Sequence, residues 1–154
     1  MNTETEKKFL IRGDFHKDVF KSFEIAQGYL CSVPERTVRV RIKGDKGFIT
    51  VKGAGNASGA SRFEWEKEIS VQEAGMLLEL AEPGQISKTR NLVRNTDGQH
   101  IWEVDEFHGR LEGLVLAEIE LGEEDEPFDR PEWLGEEVTG DPRYYNSALA
   151  KRQL

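Results

Sequence analysis

Ionic side chains recur at every second position along several short stretches of this sequence. Near the start, Glu4, Glu6 and Lys8 follow this spacing, and Arg39 and Arg41 repeat it in the stretch TVRVRIK. Carboxylate oxygens are the hard ligands that magnesium and manganese prefer, whereas arginine and lysine bind phosphate oxygens. If these side chains converge, they predict a site for a divalent metal and a polyphosphate.

The alternating stretches carry mainly one sign of charge each, opposite large apolar residues. The acidic set is Glu4, Glu6, Glu64, Glu66, Glu68, Glu103, Asp105, Glu118 and Glu120. The basic set is Lys8, Arg39, Arg41, Lys43, Lys52, Arg62, Lys88 and Arg90. Ordinary wet sheet faces mix threonine, serine, glutamine and lysine, but an antiparallel sheet with one wet face stays an alternative interpretation.

Period-two alternation is typical of β-strands, which turn successive side chains to opposite faces. The sequence predicts strands at residues 3–11, 29–33, 37–43, 48–52, 62–70, 87–93, 100–109 and 114–121. Helices are predicted at 14–27, with Asp14 as N-cap and Gly28 as its end, at 71–82, and from Asp141 onward.

This order of elements predicts a mainly β protein of the α+β class. A closed antiparallel barrel of about eight strands has room inside for side chains or one small ligand. We expect the ionic faces to line this tunnel and the helices at 14–27 and 71–82 to cover its apolar outside. A lumen with both signs of charge is costly to desolvate unless counterions or a charged ligand fill it.

Composition narrows the classes of partner. The 154 residues fit one domain over 1–154, and the formal net charge of −8 argues against general nucleic-acid or anionic-membrane binding. The start of the chain is polar, and no apolar run is long enough to span a bilayer. A single cysteine, Cys31, fits a cytoplasmic location, and a homodimer is a further expectation.

The order of these stretches resembles the CYTH superfamily, the triphosphate tunnel metalloenzymes. Glu4 to Lys8 matches its ExExK signature, and further matching stretches follow over essentially the whole chain. They are RVRIK, TVK, EWEKEI, KTR, WEVDEF and AEIEL, and the tail VTGDPRYYNSALA is similar to that of short bacterial members with inorganic triphosphatase character.

The resemblance implies roles for individual residues. Metal coordination is implied for Glu4 and Glu6, with Glu118 and Glu120 as a second pair, and further ligands or their partners are Glu64, Glu66, Glu103 and Asp105. Triphosphate binding is implied for Lys8, Arg39, Arg41, Lys52, Lys88 and Arg90, with Lys43 and Arg62 expected near a tunnel mouth.

The resemblance also implies a reaction, the Mg²⁺- or Mn²⁺-dependent hydrolysis of tripolyphosphate to pyrophosphate and phosphate. Glu4 or Glu6 would orient and activate water, and Lys88 could lower the pKa of Tyr29 and make it a proton acceptor, although packing is the alternative role of Tyr29. The rival functions are a class IV adenylate cyclase, a thiamine triphosphatase and a non-catalytic polyphosphate- or nucleotide-binding module.

Overall fold

Eight antiparallel strands close into a barrel in the computed structural model, which describes residues 3–151. The strands are β1 (Thr3–Ile11), β2 (Val19–Val33), β3 (Arg36–Lys43), β4 (Lys46–Gly53), β5 (Ser61–Ile69), β6 (Ile86–Arg94), β7 (Ile101–Phe107) and β8 (Val115–Glu120), and a short β9 (Leu134–Glu137) follows. The helices are α1 (Val71–Glu79) and α2 (Asn146–Leu149). The predicted fold class, a mainly β tunnel, is confirmed.

Strand β1 closes the barrel. The other strands run in the order β5, β4, β3, β2, β6, β7 and β8, and β1 pairs with both ends of this series. Glu4 lies opposite Arg62 of β5, and Lys8 lies opposite Glu118 of β8. Strand β9 pairs with the same edge of β1 as β5 does, but farther along β1, where Ile11 pairs with Leu134. The pairing of β1 with both β5 and β8 therefore closes the sheet and places acidic and basic residues of these three strands next to one another.

The register places the ionic faces inward and most apolar faces outward. On the outside, an apolar cluster centres on Phe9, Trp102 and Ile119, all fully buried. Phe128 and Trp133 cover it, with ring centroids 5.8 Å and 5.6 Å from that of Trp102. Residues 122–138 therefore cover this outer apolar cluster, a role that the sequence analysis predicted for a helix.

The helix predicted at 14–27 is wrong. A single 3₁₀ turn at His16–Asp18 leads directly into the 15-residue strand β2, which includes the predicted strand 29–33. The aromatic and β-branched residues of this stretch suit a strand as well as an amphipathic helix. Pairing decides between them, because Ile25 lies opposite both Lys43 of β3 and Lys88 of β6. A helix would leave both neighbouring strands with unpaired edges.

Gly28 permits a close approach rather than ending a helix. A Cβ atom at this position would lie only 2.9 Å from the Cβ of Ala81. The chain after α1 therefore lies directly on β2, and the Glu82 backbone N–H donates to the Tyr29 carbonyl oxygen at 2.8 Å.

Helix α1 confirms the second predicted helix, with an earlier end at Glu79. Ser70 is its N-cap and forms a capping box with Glu73, in which each side chain accepts a hydrogen bond from the other residue's backbone N–H. Ala74 and Leu78 are buried against Val40 of β3. The prediction of a helix packed outside the barrel holds for α1 alone.

The C-terminal helix predicted from Asp141 is interrupted. Asp141 accepts a hydrogen bond from the Arg143 backbone N–H and begins a 3₁₀ turn at Pro142–Tyr144, after which α2 forms only four residues. The segment lies at one end of the barrel, where Leu149 packs with Tyr29, Phe107 and further apolar residues. The barrel interior is thus ionic over much of its length and apolar at this end. No helix within residues 3–151 is long and apolar enough to cross a membrane.

His100 ties the covering segment to the β6–β7 turn and supplies a prediction about pH. Its ring nitrogens contact Asp97, at 2.7 Å, and Glu126. Hydrogen bonds to Glu126 and Asp97 raise the pKa of His100, and contact with His100 helps to lower the pKa of both carboxyls. The arrangement is therefore most stabilising when the imidazole is protonated and the carboxyls are ionised.

We expect His100→Gln to lower Tm by about 2–4 °C at pH 6. The raised pKa of His100 means that its contribution is complete below the unfolded-state pKa of about 6.5 and is lost as pH rises through the folded-state value. Thermal melts of both proteins from pH 6 to 9 should show a difference in Tm that shrinks with rising pH. A difference that grows toward pH 9 would contradict this assignment.

Candidate active site

The ionic faces of the barrel surround a cavity of about 160 Å³, called the charged cavity below. Twelve of its thirteen lining residues are ionisable, and all twelve belong to the sets that the sequence singled out. The lining is Glu4, Glu6, Arg39, Arg41, Lys43, Lys52, Glu64, Glu66, Arg90, Glu103, Glu118, Glu120 and Asn146. The structure therefore brings together most of the predicted site from seven strands.

Two arginines of β3 form a wall with little counter-charge. Arg39 and Arg41 are 7% and 6% exposed, and their Nε atoms are buried without a hydrogen-bond partner in the part of the chain that the structure describes. Arg41 donates from Nη2 to Glu66 at 3.0 Å, whereas Arg39 has no carboxylate within ion-pair distance among residues 3–151. Burial, with repulsion from Arg39 and Arg90, lowers the pKa of Arg41 to about 10. An anion in the cavity would supply the missing partner.

A buried ion triad lies in the wall between β6 and β7. Asp105 accepts two hydrogen bonds from Arg90, each 2.8 Å long, and its Oδ2 lies 2.8 Å from Lys88 Nζ. Burial opposes the ionisation of Asp105, but Arg90 and Lys88 outweigh it and lower its pKa to about 2. Burial lowers the pKa of Lys88 to about 8 against the attraction of Asp105. Asp105 therefore fixes two cations rather than facing the charged cavity.

Two carboxylates from the neighbouring strands β1 and β8, Glu6 and Glu118, lie close together in the lining of the charged cavity. Burial and repulsion from Glu118 and Glu4 raise the pKa of Glu6 well above its ordinary value. Burial also disfavours the charge on Glu118, but Lys8 and Arg90 overcome it and hold the pKa of Glu118 well below its usual range. The pKa values of the two carboxyls are therefore shifted in opposite directions, and Glu6 is the member of the pair that keeps its proton to higher pH.

Lys52 links the carboxylates of β1 and β5. Its Nζ lies 2.9 Å from Glu4 Oε1 and 3.4 Å from Glu64 Oε2. Burial raises the pKa of Glu4 despite the opposing charge of Lys52. Burial and the charges of Glu4 and Glu103 also raise the pKa of Glu120. Excess negative charge therefore collects where Glu4, Glu6, Glu118 and Glu120 meet.

A second cavity of about 190 Å³ shares Glu4 and Glu6 with the first. Lys8 and Arg62 line it, with Thr139, Tyr145 and Ser147 of the C-terminal segment. Lys8 is already engaged, since its Nζ donates to the Tyr144 carbonyl oxygen at 2.8 Å. Arg62 Nε lies 4.0 Å from Glu4 Oε1. Lys8 and Arg62 thus stand beside the charged cavity, whereas Lys43 lies in it and also borders an outer opening with Lys21 and Lys46.

Tyr29 lies apart from both cavities. It is 5% exposed and packs in the apolar cluster with Ile86, Phe107 and Leu149. Of the two alternatives for Tyr29, this position supports the packing role. The catalytic role stays a prediction.

Sequence patterns missed the contribution of the C-terminal segment. Asn146 is the one neutral residue of the charged cavity, and it lies beyond the last alternating strand. Thr50 was also missed as a supporting residue, although it shares a strand face with Lys52, and its hydroxyl donates to Glu66 at 2.7 Å. The alternation of β4 could have identified Thr50, but no local pattern places Asn146.

The donor set suits a divalent metal in its chemistry. Carboxylates crowded against one another, with a strongly raised pKa at Glu6, would be relieved by a shared hard cation. In residues 3–151 as they stand, no three acidic, histidine or cysteine side chains already enclose a metal-sized point. Ion pairs with Lys52 and Arg90 hold several of the acids instead.

Comparison with known proteins gives concordant results along the whole chain. The family model described as the CYTH domain matches residues 2–145. An inorganic triphosphatase of Acetivibrio thermocellus is 49% identical over 98% of this chain and 95% of that protein. An inorganic triphosphatase of Nitrosomonas europaea is 40% identical over 96% of this chain and 97% of that protein.

Solved structures agree with the fold. A crystal structure of an inorganic triphosphatase superposes with a TM-score of 0.70 at 36% identity, covering 99% of this chain and 97% of that one. A protein from Hippeastrum, at 16% identity and a TM-score of 0.56, covers 78% of this chain and 80% of its own, and this similarity concerns the fold alone.

Proposed function

The chain belongs to the CYTH domain family, and on that premise we propose that it is an inorganic triphosphatase. The substrate would be tripolyphosphate, and the products pyrophosphate and phosphate. One observation carries this proposal: the buried guanidinium of Arg39 has no carboxylate within ion-pair distance among residues 3–151, and its Nε has no hydrogen-bond partner there. Buried cations without partners are costly, and a polyanion removes that cost.

The cations would bind and orient the chain of phosphates. Arg39 and Arg41 of β3 and Arg90 of β6 carry guanidinium groups that can each bind two phosphoryl oxygens. Asp105 holds the Arg90 side chain in one orientation through two hydrogen bonds. Phosphoryl transfer depends mainly on such positioning and on neutralising charge at the transferred group, and less on covalent participation.

The carboxylates would supply the other half of the site. Divalent-metal dependence is general in this family, and we propose Mg²⁺ or Mn²⁺ bound by Glu4, Glu6, Glu118 and Glu120, with Glu64, Glu66 and Glu103 nearby. When bound, such a metal neutralises phosphoryl charge and lowers the pKa of a coordinated water. Glu4 and Glu6 are the side chains best placed to orient the attacking water, because they border both cavities.

The size of the charged cavity favours an inorganic substrate. Pockets for drug-sized ligands begin at roughly 300 Å³, whereas this cavity measures about 160 Å³. A nucleoside or thiamine moiety would therefore have to lie outside the ionic lining. The ionic lining therefore suits the phosphates alone, and ATP or thiamine triphosphate would have to place its organic part in the adjoining cavity of about 190 Å³ or in solvent.

A side-by-side assay tests the proposal. Product release is measured from tripolyphosphate, ATP and thiamine triphosphate, each with magnesium and with manganese, and cyclic AMP is scored in the ATP samples. We expect tripolyphosphate to give the highest kcat/KM with at least one of the two metals. Cyclic AMP would instead indicate a cyclase, and binding of tripolyphosphate without phosphate release would indicate a non-catalytic module.

Two further proposals concern the setting of the protein. We propose a cytoplasmic location, which the single half-buried thiol of Cys31 supports. We also propose a homodimer, for which Phe63 and Trp65, exposed side by side on the outer face of β5, are the supporting observation.

A further inference from the structure

Asn146 is an exception in the lining of the charged cavity. The other twelve lining residues are ionisable, and Asn146 alone contributes a neutral amide. Its backbone carbonyl accepts a hydrogen bond from Ala150 N–H at 3.0 Å, but its side-chain amide has no hydrogen-bond partner among residues 3–151. A half-buried residue whose amide can donate two hydrogen bonds therefore lines the charged cavity with that amide unpaired among residues 3–151.

The segment that carries Asn146 is anchored to the barrel just before this residue. The Lys8 backbone N–H donates to Thr139 Oγ1 at 2.9 Å, and Lys8 Nζ donates to the Tyr144 carbonyl oxygen at 2.8 Å. Strand β1, which carries Glu4 and Glu6, thus holds the chain two residues ahead of Asn146.

Arg110 anchors the same segment just after Asn146. From the 3₁₀ turn at Gly109–Leu111, its guanidinium donates to the carbonyl oxygens of Leu149 and Ala150, both at 2.9 Å, and of Gly84 at 2.7 Å. Gly84 approaches so closely that a Cβ there would lie 1.7 Å from the Ala150 carbonyl oxygen. Arg110 therefore joins the end of α2 to the turn that precedes β6.

We propose that Asn146 is a substrate-binding residue whose amide donates a hydrogen bond to a phosphoryl oxygen of tripolyphosphate, and that Arg110 is its positioning residue. The inference rests on the proposed function. A hydrogen bond from a neutral amide to a charged oxygen strengthens anion binding without adding another cation to a crowded wall. The anchors on both sides of α2 fix where that amide points.

Steady-state kinetics with tripolyphosphate test the role of Asn146. Asn146→Ala should raise KM about tenfold and change kcat less than about twofold, because the contact is made in ground state and transition state alike. Asn146→Asp, which turns a carboxylate toward the phosphates, should raise KM further. Lys151→Ala, exposed at the end of the same segment, is the matched control and should leave both constants unchanged.

A double-mutant cycle tests the role of Arg110. Arg110→Ala should raise KM to a similar extent, and combining it with Asn146→Ala should raise KM no further than the larger single effect. Arg110→Lys should restore most of the affinity, which keeps the test usable if the alanine variant folds poorly. The exposed Arg36→Ala is the control for loss of an arginine.

The outcomes separate this inference from the proposed function. An unchanged KM in Asn146→Ala, or additive effects on KM in the double variant, would overturn the inference. The proposed function would still stand if the wild-type protein hydrolyses tripolyphosphate. A wild-type protein that releases no phosphate from tripolyphosphate would contradict the function itself. In that case calorimetric titration of tripolyphosphate into the wild-type protein and Asn146→Ala still measures the contact, and equal affinities would overturn it.

Discussion

Glu6→Gln should lower kcat/KM for tripolyphosphate by at least roughly 1000-fold, the scale seen when a preorganised electrostatic group at a reacting centre is lost. Glu6 borders both cavities and lies against Glu118, where burial and repulsion raise its pKa well above its ordinary value. An amide keeps the shape of the side chain but cannot supply the negative charge that attracts a divalent cation. The loss should therefore appear in catalysis.

Loss of folding should not explain the effect of Glu6→Gln. Removing one of two mutually repelling carboxylates, of which Glu6 is half-buried and Glu118 is buried, leaves the barrel equally or more stable. Thermal melts of Glu6→Gln should give a Tm at or above that of the wild-type protein. The control is Glu68→Gln, at an exposed position of β5 outside both cavities, which should behave like the wild type in the kinetic assay and in the thermal melt. Normal turnover by Glu6→Gln would show that the metal assignment is wrong.

Asp105→Asn should reduce the free energy of unfolding by roughly 3–5 kcal/mol, the cost of leaving buried charges without their partner. Lys88 is fully buried, Arg90 is 6% exposed, and both depend on the Asp105 carboxylate at 2.8 Å. An amide can accept one hydrogen bond from Arg90, but it cannot balance two cations. The effect should thus exceed that of any surface carboxylate.

Urea denaturation with and without tripolyphosphate measures this effect. The polyanion should restore part of the lost stability, since it offers negative charge to Arg90, which lines the charged cavity. Asp125→Asn, on an exposed loop, is the control and should unfold like the wild type. If Asp105→Asn unfolded like the wild type but had lost metal affinity, Asp105 would be a metal ligand, as the resemblance implied, and not the partner of two cations.

Period-two alternation predicted the site well because it is a local property that barrel closure preserves. Once Arg39 and Arg41 face inward on β3, the register of β4, β6 and β8 leaves their ionic faces no other direction. Twelve of the predicted ionic residues consequently meet in one cavity. Strand boundaries shifted by only one or two residues at most ends.

The stretch at 14–27 shows where such local patterns fail. Phe15, Val19 and Phe23 satisfy a helical period, yet the choice between helix and strand depends on unpaired edges of β3 and β6 that are far away in sequence. The role of Asp105 is similar, because alternation gives its face but not the two cations that engage it. Asn146 depends on anchors at Lys8 and Arg110, and no spacing within the tail reveals them.

Phosphorus-31 NMR of tripolyphosphate incubated with the protein and magnesium or manganese tests the central claim, that the ionic barrel interior binds and cleaves this anion. We expect the signal of the central phosphorus to disappear while pyrophosphate and phosphate signals grow in equal molar amounts. The same sample with Glu6→Gln should stay unchanged over that time. A wild-type sample whose tripolyphosphate spectrum persists with both metals would contradict the account.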